Sequence, residues 1–187
     1  MLNSTVSFDY FAEDEFAEGL YIDYRAFDKE GIEPRFEFGF GLSYTNFAHE
    51  ALSASLASVH GADASPAEFL NTSVPIVQGG HPELWDTVAL VSCTITNSGD
   101  REGTEVAQLY VGIPSEDNDT PVRQLRGFSR VGPLTPGEAR QVVFELTRRD
   151  LSVWDVVAQQ WRLRRGEYQI WVGASSRDLR LEGSITI

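Results

Sequence analysis

Positive charge is scarce in this chain and is carried almost entirely by arginine. The 187 residues include 15 Lys and Arg against 28 Asp and Glu, which gives a formal net charge of −13. Only Lys29 is a lysine. Proteins that bind nucleic acid or an anionic membrane need an excess of clustered cations, so this composition argues against both kinds of partner.

Cysteine and long apolar runs are equally scarce. The single cysteine, Cys93, excludes an intramolecular disulfide, and we expect it to be a small core residue. No stretch of about 18 apolar residues is present, so no membrane-spanning helix is predicted. The first thirty residues are acidic, whereas a signal peptide has a basic start and an apolar run, so we expect no signal peptide in this chain.

Acidic and basic side chains are separated along the sequence. Residues 1–119 hold 21 acidic and 4 basic side chains, whereas residues 120–187 hold 7 acidic and 11 basic ones. Guanidinium groups form planar, paired hydrogen bonds with carboxylates. We therefore expect the arginines of the second part to pair with the acidic residues of the first.

From about residue 51 onward, apolar side chains alternate with polar ones, as in half-buried strands. About seven strands are predicted, at 52–56, 89–95, 107–111, 123–131, 142–146, 168–172 and 179–187. Turn residues at 97–100 and 133–137 separate neighbouring strands, and 60–86 is predicted to be a long surface loop. This pattern indicates an all-β, immunoglobulin-like β-sandwich, in which Tyr168 is placed to form a tyrosine corner.

The first 49 residues follow a different pattern. Residues 19–25 are predicted to form one strand, and residues 36–44 are rich in aromatics and glycine. A lone strand cannot bury its own faces, so residues 1–49 are predicted to be the end of another domain that precedes a sandwich at 50–187. The aromatic stretch at 36–44 is predicted to pack between the two domains.

Several motifs resemble one family of enzymes. The phrase Glu-Gly-Leu-Tyr-Ile-Asp-Tyr-Arg at 18–25 and the phrase Phe-Gly-Phe-Gly-Leu-Ser-Tyr-Thr at 38–45 look like the end of the α/β sandwich domain in glycoside hydrolase family 3. Fungal β-glucosidases are the most similar members. Five further stretches resemble the fibronectin type III-like domain that ends these enzymes, at 79–86, 125–128, 146–151, 154–161 and 172–178.

The resemblance implies a C-terminal region of a secreted, extracellular enzyme that hydrolyses terminal β-D-glucosyl residues in polysaccharide breakdown. Its partners would be the catalytic domains of the same polypeptide. Retaining glycosidases need two carboxyl groups about 5 Å apart, and no residue here matches the family's catalytic Asp or Glu motif. We therefore assign no catalytic residue and no cofactor, and expect the chain to act as a structural brace that is inactive by itself.

An autonomous carbohydrate-binding module is the alternative function. Flat indole rings can stack on sugars, and Trp171 has the opposite parity to its inward neighbours, while Trp85 lies at the end of a loop. These two residues are the candidate polysaccharide-binding positions, and the alternative, which we favour, is that they pack against the domains that precede the sandwich. Trp154 and Trp161 are instead predicted to be plugs beneath a crossover connection.

Other side-chain groups favour ordinary structural roles. His49, His60 and His81 lack the spacing of metal ligands, so no metal is implied. Carboxylate pairs such as Glu13/Glu15 and Asp150/Asp155 are more typical of solvated faces than of acid/base catalysis. Three glycosylation sequons are present, at Asn3, Asn71 and Asn118.

Overall fold

The computed structural model describes residues 15–57, 66–117 and 119–187. They contain one α-helix, α1 (Tyr24–Glu30), a short 3-10 helix (Pro82–Trp85) and nine strands. The strands are β1 (Phe47–Leu56), β2 (Thr87–Asn97), β3 (Gly103–Gly112), β4 (Gln124–Leu134), β5 (Ala139–Thr147), β6 (Ser152–Asp155), β7 (Gln160–Leu163), β8 (Glu167–Gly173) and β9 (Leu179–Thr186).

The strands form two main sheets that enclose the core. One has the order β1-β2-β5, the other has the order β4-β3-β8-β9, and β6 and β7 pair as a separate hairpin. The all-β sandwich predicted from the alternating pattern is confirmed. Neither of the two helices in the described residues is long and apolar enough to cross a membrane.

Alternating side chains of both sheets meet in one hydrophobic core. The inward residues of the two central strands, β2 and β3, are fully or almost fully buried: Ala89, Val91, Cys93, Ile95, Ala107, Leu109 and Val111. Cys93 is the core residue that was expected, and burial raises the pKa of its thiol to about 11. Strands β2 and β3 thus have the predicted faces inward, whereas Leu56, predicted to face inward from the first strand, is 40% exposed.

Strand β1 begins five residues earlier than the sequence pattern suggested. Phe47 and His49 are buried, whereas Leu52 and Ala54 are the half-buried residues further along the strand. The register with β2 shifts between Glu50 and Ser53, where Ala51 adopts a φ of 53°. A β-bulge of this kind changes which residues face inward, so a strict period of two could not be followed through it.

The tyrosine corner at Tyr168 is present as predicted. Its hydroxyl lies 2.8 Å from the carbonyl oxygen of Arg164 and 3.0 Å from that of Leu151, and the side chain is fully buried. The hydroxyl donates to these backbone acceptors, which fixes the turn that precedes β8.

The strand predicted at residues 19–25 is wrong. The described chain forms turns up to residue 21 and then α1, which ends at Gly31 in the left-handed conformation. No strand of the described residues pairs with this segment, and an extended segment needs a neighbouring strand to satisfy its backbone hydrogen-bonding groups. Backbone hydrogen bonds from Ala26 and Phe27 to the carbonyl oxygen of Asp23 form the helical turn instead.

The prediction that Trp154 and Trp161 plug a crossover connection is also wrong. These residues face each other across the β6–β7 hairpin, with ring centroids 5.5 Å apart in an edge-to-face arrangement. The Asp155 carboxylate accepts hydrogen bonds from the backbone N–H groups of Val157 and Ala158 and so stabilises the tight turn. A carboxylate that caps its own turn is the local signal for this hairpin.

Candidate interdomain surface

The segment from Phe36 to Tyr44, called the strap below, lies across the outer face of the four-stranded sheet. At its centre the side-chain amide of Gln108 on β3 donates to the carbonyl oxygen of Gly39 at 2.9 Å and to that of Ala174 at 2.6 Å. The hydroxyl of Tyr110 donates to Gln108 Oε1 at 2.7 Å. The strap is therefore hydrogen-bonded to the middle of the sheet.

This cover explains why β3 is buried on both faces. Tyr110 is fully buried and Gln108 is 5% exposed, although both point away from the sandwich core. Burial raises the pKa of the Tyr110 phenol, with the neighbouring Tyr24 acting in the same direction. The sequence pattern assigned these positions to a solvated face, because it carries no information about a covering segment.

Helix α1 packs beside the strap on the same face of the sheet. Tyr24 stacks on Phe38 with a centroid distance of 4.6 Å and meets Tyr110 edge-on at 6.1 Å. Its hydroxyl accepts a hydrogen bond from the backbone N–H of Leu125 on β4 at 2.9 Å. One aromatic side chain thereby joins the helix, the strap and the sheet.

Charged groups hold the helix to the loops of the sandwich. The Asp28 carboxylate lies 3.0 Å from the guanidinium groups of both Arg123 and Arg177, and its side chain is only 7% exposed. Seven of the nine ion pairs among the described residues join an acidic residue of 1–119 to an arginine of 120–187. The pairing predicted from the charge distribution is confirmed.

The opposite side of the strap is apolar and open. Leu42 and Tyr44 are each 92% exposed, Phe36 is 67% exposed, and Phe128 of β4 adds another exposed ring at 72%. A groove of about 610 Å³ runs between the strap, β3 and β4 beside these side chains. Exposed apolar residues that cluster in this way mark a surface that is normally covered.

The candidate sugar-binding tryptophans are carried by different parts of the sandwich. Trp171 lies on the outer face of β8, is half-buried, and has its ring next to Gly112 of β3. Trp85 ends the 3-10 helix that leads into β2 of the other sheet, and it is 59% exposed. Their role in binding polysaccharide stays a prediction.

The remaining candidates have structural partners. Asp150 Oδ2 accepts from the backbone and hydroxyl of Thr147. His81 Nδ1 accepts from the backbone of Glu83, which leaves its Nε2 to donate to the carbonyl of Asn71 at 2.9 Å. Within the described ranges, no three His, Cys, Asp or Glu side chains are grouped as a metal site. Asn71 is on an exposed turn, and the candidates outside the described residues are Asn3, Glu13, His60 and Asn118.

Comparison with known proteins identifies the type of domain that the sandwich forms. The family described as the fibronectin type III-like domain matches residues 105–176. The chain contains a fibronectin type III-like domain of the kind found in family 3 β-glucosidases. It is 55% identical over 177 residues to a probable β-glucosidase M of Aspergillus flavus and 50% identical over 176 residues to a probable β-glucosidase L of Aspergillus terreus.

The solved structures that this chain resembles are also β-glucosidases. The β-D-glucoside glucohydrolase of Trichoderma reesei superimposes with a TM-score of 0.83 at 43% identity, over 95% of this chain and 24% of that one. A glycoside hydrolase family 3 β-glucosidase of Neurospora crassa gives a TM-score of 0.79 at 30% identity, over 91% of this chain and 28% of that one. The chain spans about a fifth of the length of the curated relatives it matches: 22% of the Aspergillus flavus protein and 23% of the Aspergillus terreus protein.

Proposed function

We propose that the fibronectin type III-like sandwich and its strap form a C-terminal structural brace of a secreted family 3 β-glucosidase. The observation that carries the proposal is the open apolar side of the strap, where Leu42 and Tyr44 are almost fully exposed. A monomer rarely leaves such a cluster in water. The relatives that match this chain are more than four times its length, so the rest of such a polypeptide is the natural cover.

The strap is suited to this role because its inner side is fixed before docking. Gln108, Tyr24 and the backbone of Ser176 hold it against the sheet, the last by donating to the carbonyl oxygen of Phe38 at 2.9 Å. A preordered surface loses little conformational entropy when it is covered. In the parent enzyme the brace would support catalysis by stabilising the domains that hold the catalytic carboxylates, not by contributing one.

Docking is tested by supplying this chain to a truncated relative. The probable β-glucosidase M of Aspergillus flavus is expressed without the region that this chain matches. Its association with the chain is measured by size-exclusion chromatography with light scattering. The half-life of its activity on an aryl β-glucoside is followed at raised temperature. We expect a one-to-one complex that prolongs the half-life.

A matched pair of variants locates the surface. Replacing Leu42 and Tyr44 together by Asp places charge on the apolar strap, and we expect at least tenfold weaker association. Replacing Val156 and Val157 by Asp changes two equally apolar residues, 72% and 91% exposed, in the β6–β7 turn, and should leave association unchanged. Equal loss in both variants, or no association where the relative's own missing region does associate, would contradict the brace.

Polysaccharide binding is the second candidate function, favoured by the exposed indole of Trp85. Retention of the chain on insoluble cellulose, lost in Trp85→Ala or Trp171→Ala, would support it. The sequon at Asn71 lies on an exposed turn and suits an extracellular parent. Mass spectrometry of the chain secreted from a fungal host should then find a glycan at Asn71.

A further inference from the structure

A second groove, of about 410 Å³, lies where the start of α1 meets β4 and the β6–β7 hairpin. Its walls carry three arginines, Arg25, Arg126 and Arg149, together with Trp154 and Trp161. We call it the Arg–Trp groove. It shares no lining residue with the groove beside the strap, so occupation of one leaves the other open.

The three guanidinium groups carry charge that the described residues balance only in part, through the more distant Asp150 carboxylate, which acts on Arg126 and Arg149. None of them forms an ion pair within the described part of the chain. Asp119, the one carboxylate that the described residues contribute to the groove wall, is engaged by Arg164. Burial lowers the pKa of Arg126; the Asp150 carboxylate opposes this shift, and the like charges of Arg149 and Arg25 add to it. An anion in the groove would relieve this repulsion.

Two of the three arginines, Arg126 and Arg149, are also held in place. Arg126 donates from Nε to the carbonyl oxygen of Asp150 at 2.7 Å and from Nη2 to Gln124 Oε1 at 3.0 Å. The guanidinium carbon of Arg149 lies 3.5 Å from the centroid of the Trp161 ring. A stacked guanidinium keeps its N–H donors in its own plane, where they remain available to a ligand. Arg25 Nε is buried and has no hydrogen-bond partner among the described residues.

An open aromatic face completes the groove. Arg149 covers one face of Trp161, whereas Trp154 meets Trp161 edge-on and is itself 44% exposed. A simple inorganic anion would use the arginines and leave Trp154 without a role. A neutral sugar would use the indole and leave the positive charge unpaired. A ring that bears a carboxylate uses both.

We propose that the Arg–Trp groove binds a uronic acid residue of a glycan, with the pyranose ring on Trp154 and the carboxylate at the guanidinium groups of Arg25 and Arg149. The volume suits one or two sugar residues. The inference goes beyond the bracing function and does not depend on it, since the strap surface lies elsewhere on the molecule.

The test is a titration of the 187-residue chain with methyl β-D-glucuronide, followed through the indole N–H signals of its four tryptophans by NMR. We expect saturable shifts of two indole signals with a dissociation constant of about 1 mM. Methyl β-D-glucoside, which differs by lacking the carboxylate, should bind at least about tenfold more weakly, because it loses the charge-assisted hydrogen bonds.

Variants place the site. Arg25→Gln, Arg149→Gln and Trp154→Ala should each weaken glucuronide binding about tenfold or more. Arg130→Gln, on an exposed part of β4, and Trp85→Ala are the matched controls and should bind like the parent chain. Circular dichroism confirms that each variant keeps its strands.

Three results would overturn the proposal. The first is no saturation by the glucuronide up to about 50 mM. The second is acetate binding as tightly as the glucuronide, which would show an anion site that does not recognise a sugar ring. The third is unchanged affinity in both Arg25→Gln and Trp154→Ala, which would place any binding outside the groove.

Discussion

At the scale of single residues, Asn97 shows how much one buried polar side chain can organise. It is fully buried, and its Oδ1 accepts from the hydroxyl of Thr45 at 2.8 Å and from the backbone of Gly99 at 3.1 Å. Its Nδ2 donates to the carbonyl oxygens of Arg101 at 2.7 Å and Leu134 at 2.8 Å. The sequence marked this position only as the start of a turn, because none of these partners is visible in a local pattern.

Replacing Asn97 by Ala should destabilise the fold strongly. The change leaves two carbonyl oxygens and two donors without their partner around a fully buried position, which costs on the order of 3 kcal/mol. Urea denaturation followed by tryptophan fluorescence measures the free energy of unfolding. Asn46→Ala, at an exposed position just before β1, is the control and should change it by less than about 0.5 kcal/mol. A small effect of Asn97→Ala would contradict the assigned role.

His49 couples stability to pH. Its ring is buried, and burial, together with the neighbouring charge of Arg180, lowers its pKa to about 4, while Asp178 opposes the shift. Arg180 Nη1 lies 3.1 Å from Nδ1, which accepts as the neutral ring. The unfolded chain has an ordinary histidine pKa near 6.5 and therefore binds more protons between the two values.

The stabilisation from neutral His49 should be fully present above pH 6.5 and be lost as the pH falls towards 4. The expected loss over that range is about 2 to 3 kcal/mol. Urea denaturation at a series of pH values should show a shallower dependence in His49→Gln, which cannot titrate. An NMR titration of the folded protein with a His49 midpoint near 6.5 would refute this prediction.

At the scale of elements, the strap depends on close backbone approach at one glycine. Gly39 has a φ of 81°, and a Cβ at this position would collide with the side-chain amide of Gln108. Gly41, two residues further on, has no positive φ, and a Cβ added there would meet no atom within 4 Å. The same segment thus contains one glycine that the packing requires and one that it does not.

Gly39→Ala should lift the strap from the sheet, whereas Gly41→Ala should not. We expect Gly39→Ala to lower the free energy of unfolding by about 2 kcal/mol, because it combines a strained φ with overpacking. Limited proteolysis should cut the strap faster in Gly39→Ala than in Gly41→Ala or the parent chain. Identical cleavage rates would show that the strap is not held through Gly39.

The β6–β7 hairpin shows that short strands cannot be predicted from side-chain alternation. Each strand has four residues, too few to establish a period, and its tryptophans contact each other across the hairpin. By contrast, the longer strands β2 and β3 were located from alternation alone. Segment 19–25 failed for a related reason, since its apolar residues fit a strand only when a neighbouring strand is available.

At the scale of the whole molecule, the chain by itself should not hydrolyse β-glucosides. The residues that resemble family 3 motifs lie at 18–25, in the strap and in the sandwich, and no catalytic Asp or Glu motif is among them. Purified chain should therefore release no nitrophenol from an aryl β-glucoside above the rate of a mock purification, while the β-D-glucoside glucohydrolase of Trichoderma reesei serves as the positive control. Turnover that copurifies with the chain through several columns would disprove this.

The sequence by itself determined the fold class, the tyrosine corner and the resemblance to family 3 enzymes. Side-chain alternation, turn residues and sequence motifs depend only on residues that are close together in the chain. They therefore predict the same strands wherever one face of each strand is buried. The charge separation along the chain likewise predicted that arginines of 120–187 pair with acidic residues of 1–119. The boundary drawn between residues 49 and 50 remains a prediction, with β1 beginning at Phe47.

Only the tertiary structure decided the contacts between distant segments. It showed that the strap covers Gln108 and Tyr110, that Tyr24 lies on a helix, and that Arg25, Arg126 and Arg149 share a groove with two tryptophans. Some of these residues are more than a hundred positions apart in the sequence, so no local periodicity links them. Burial of an outer face and accumulation of like charge are consequences of packing, and they became visible only when the segments were brought together.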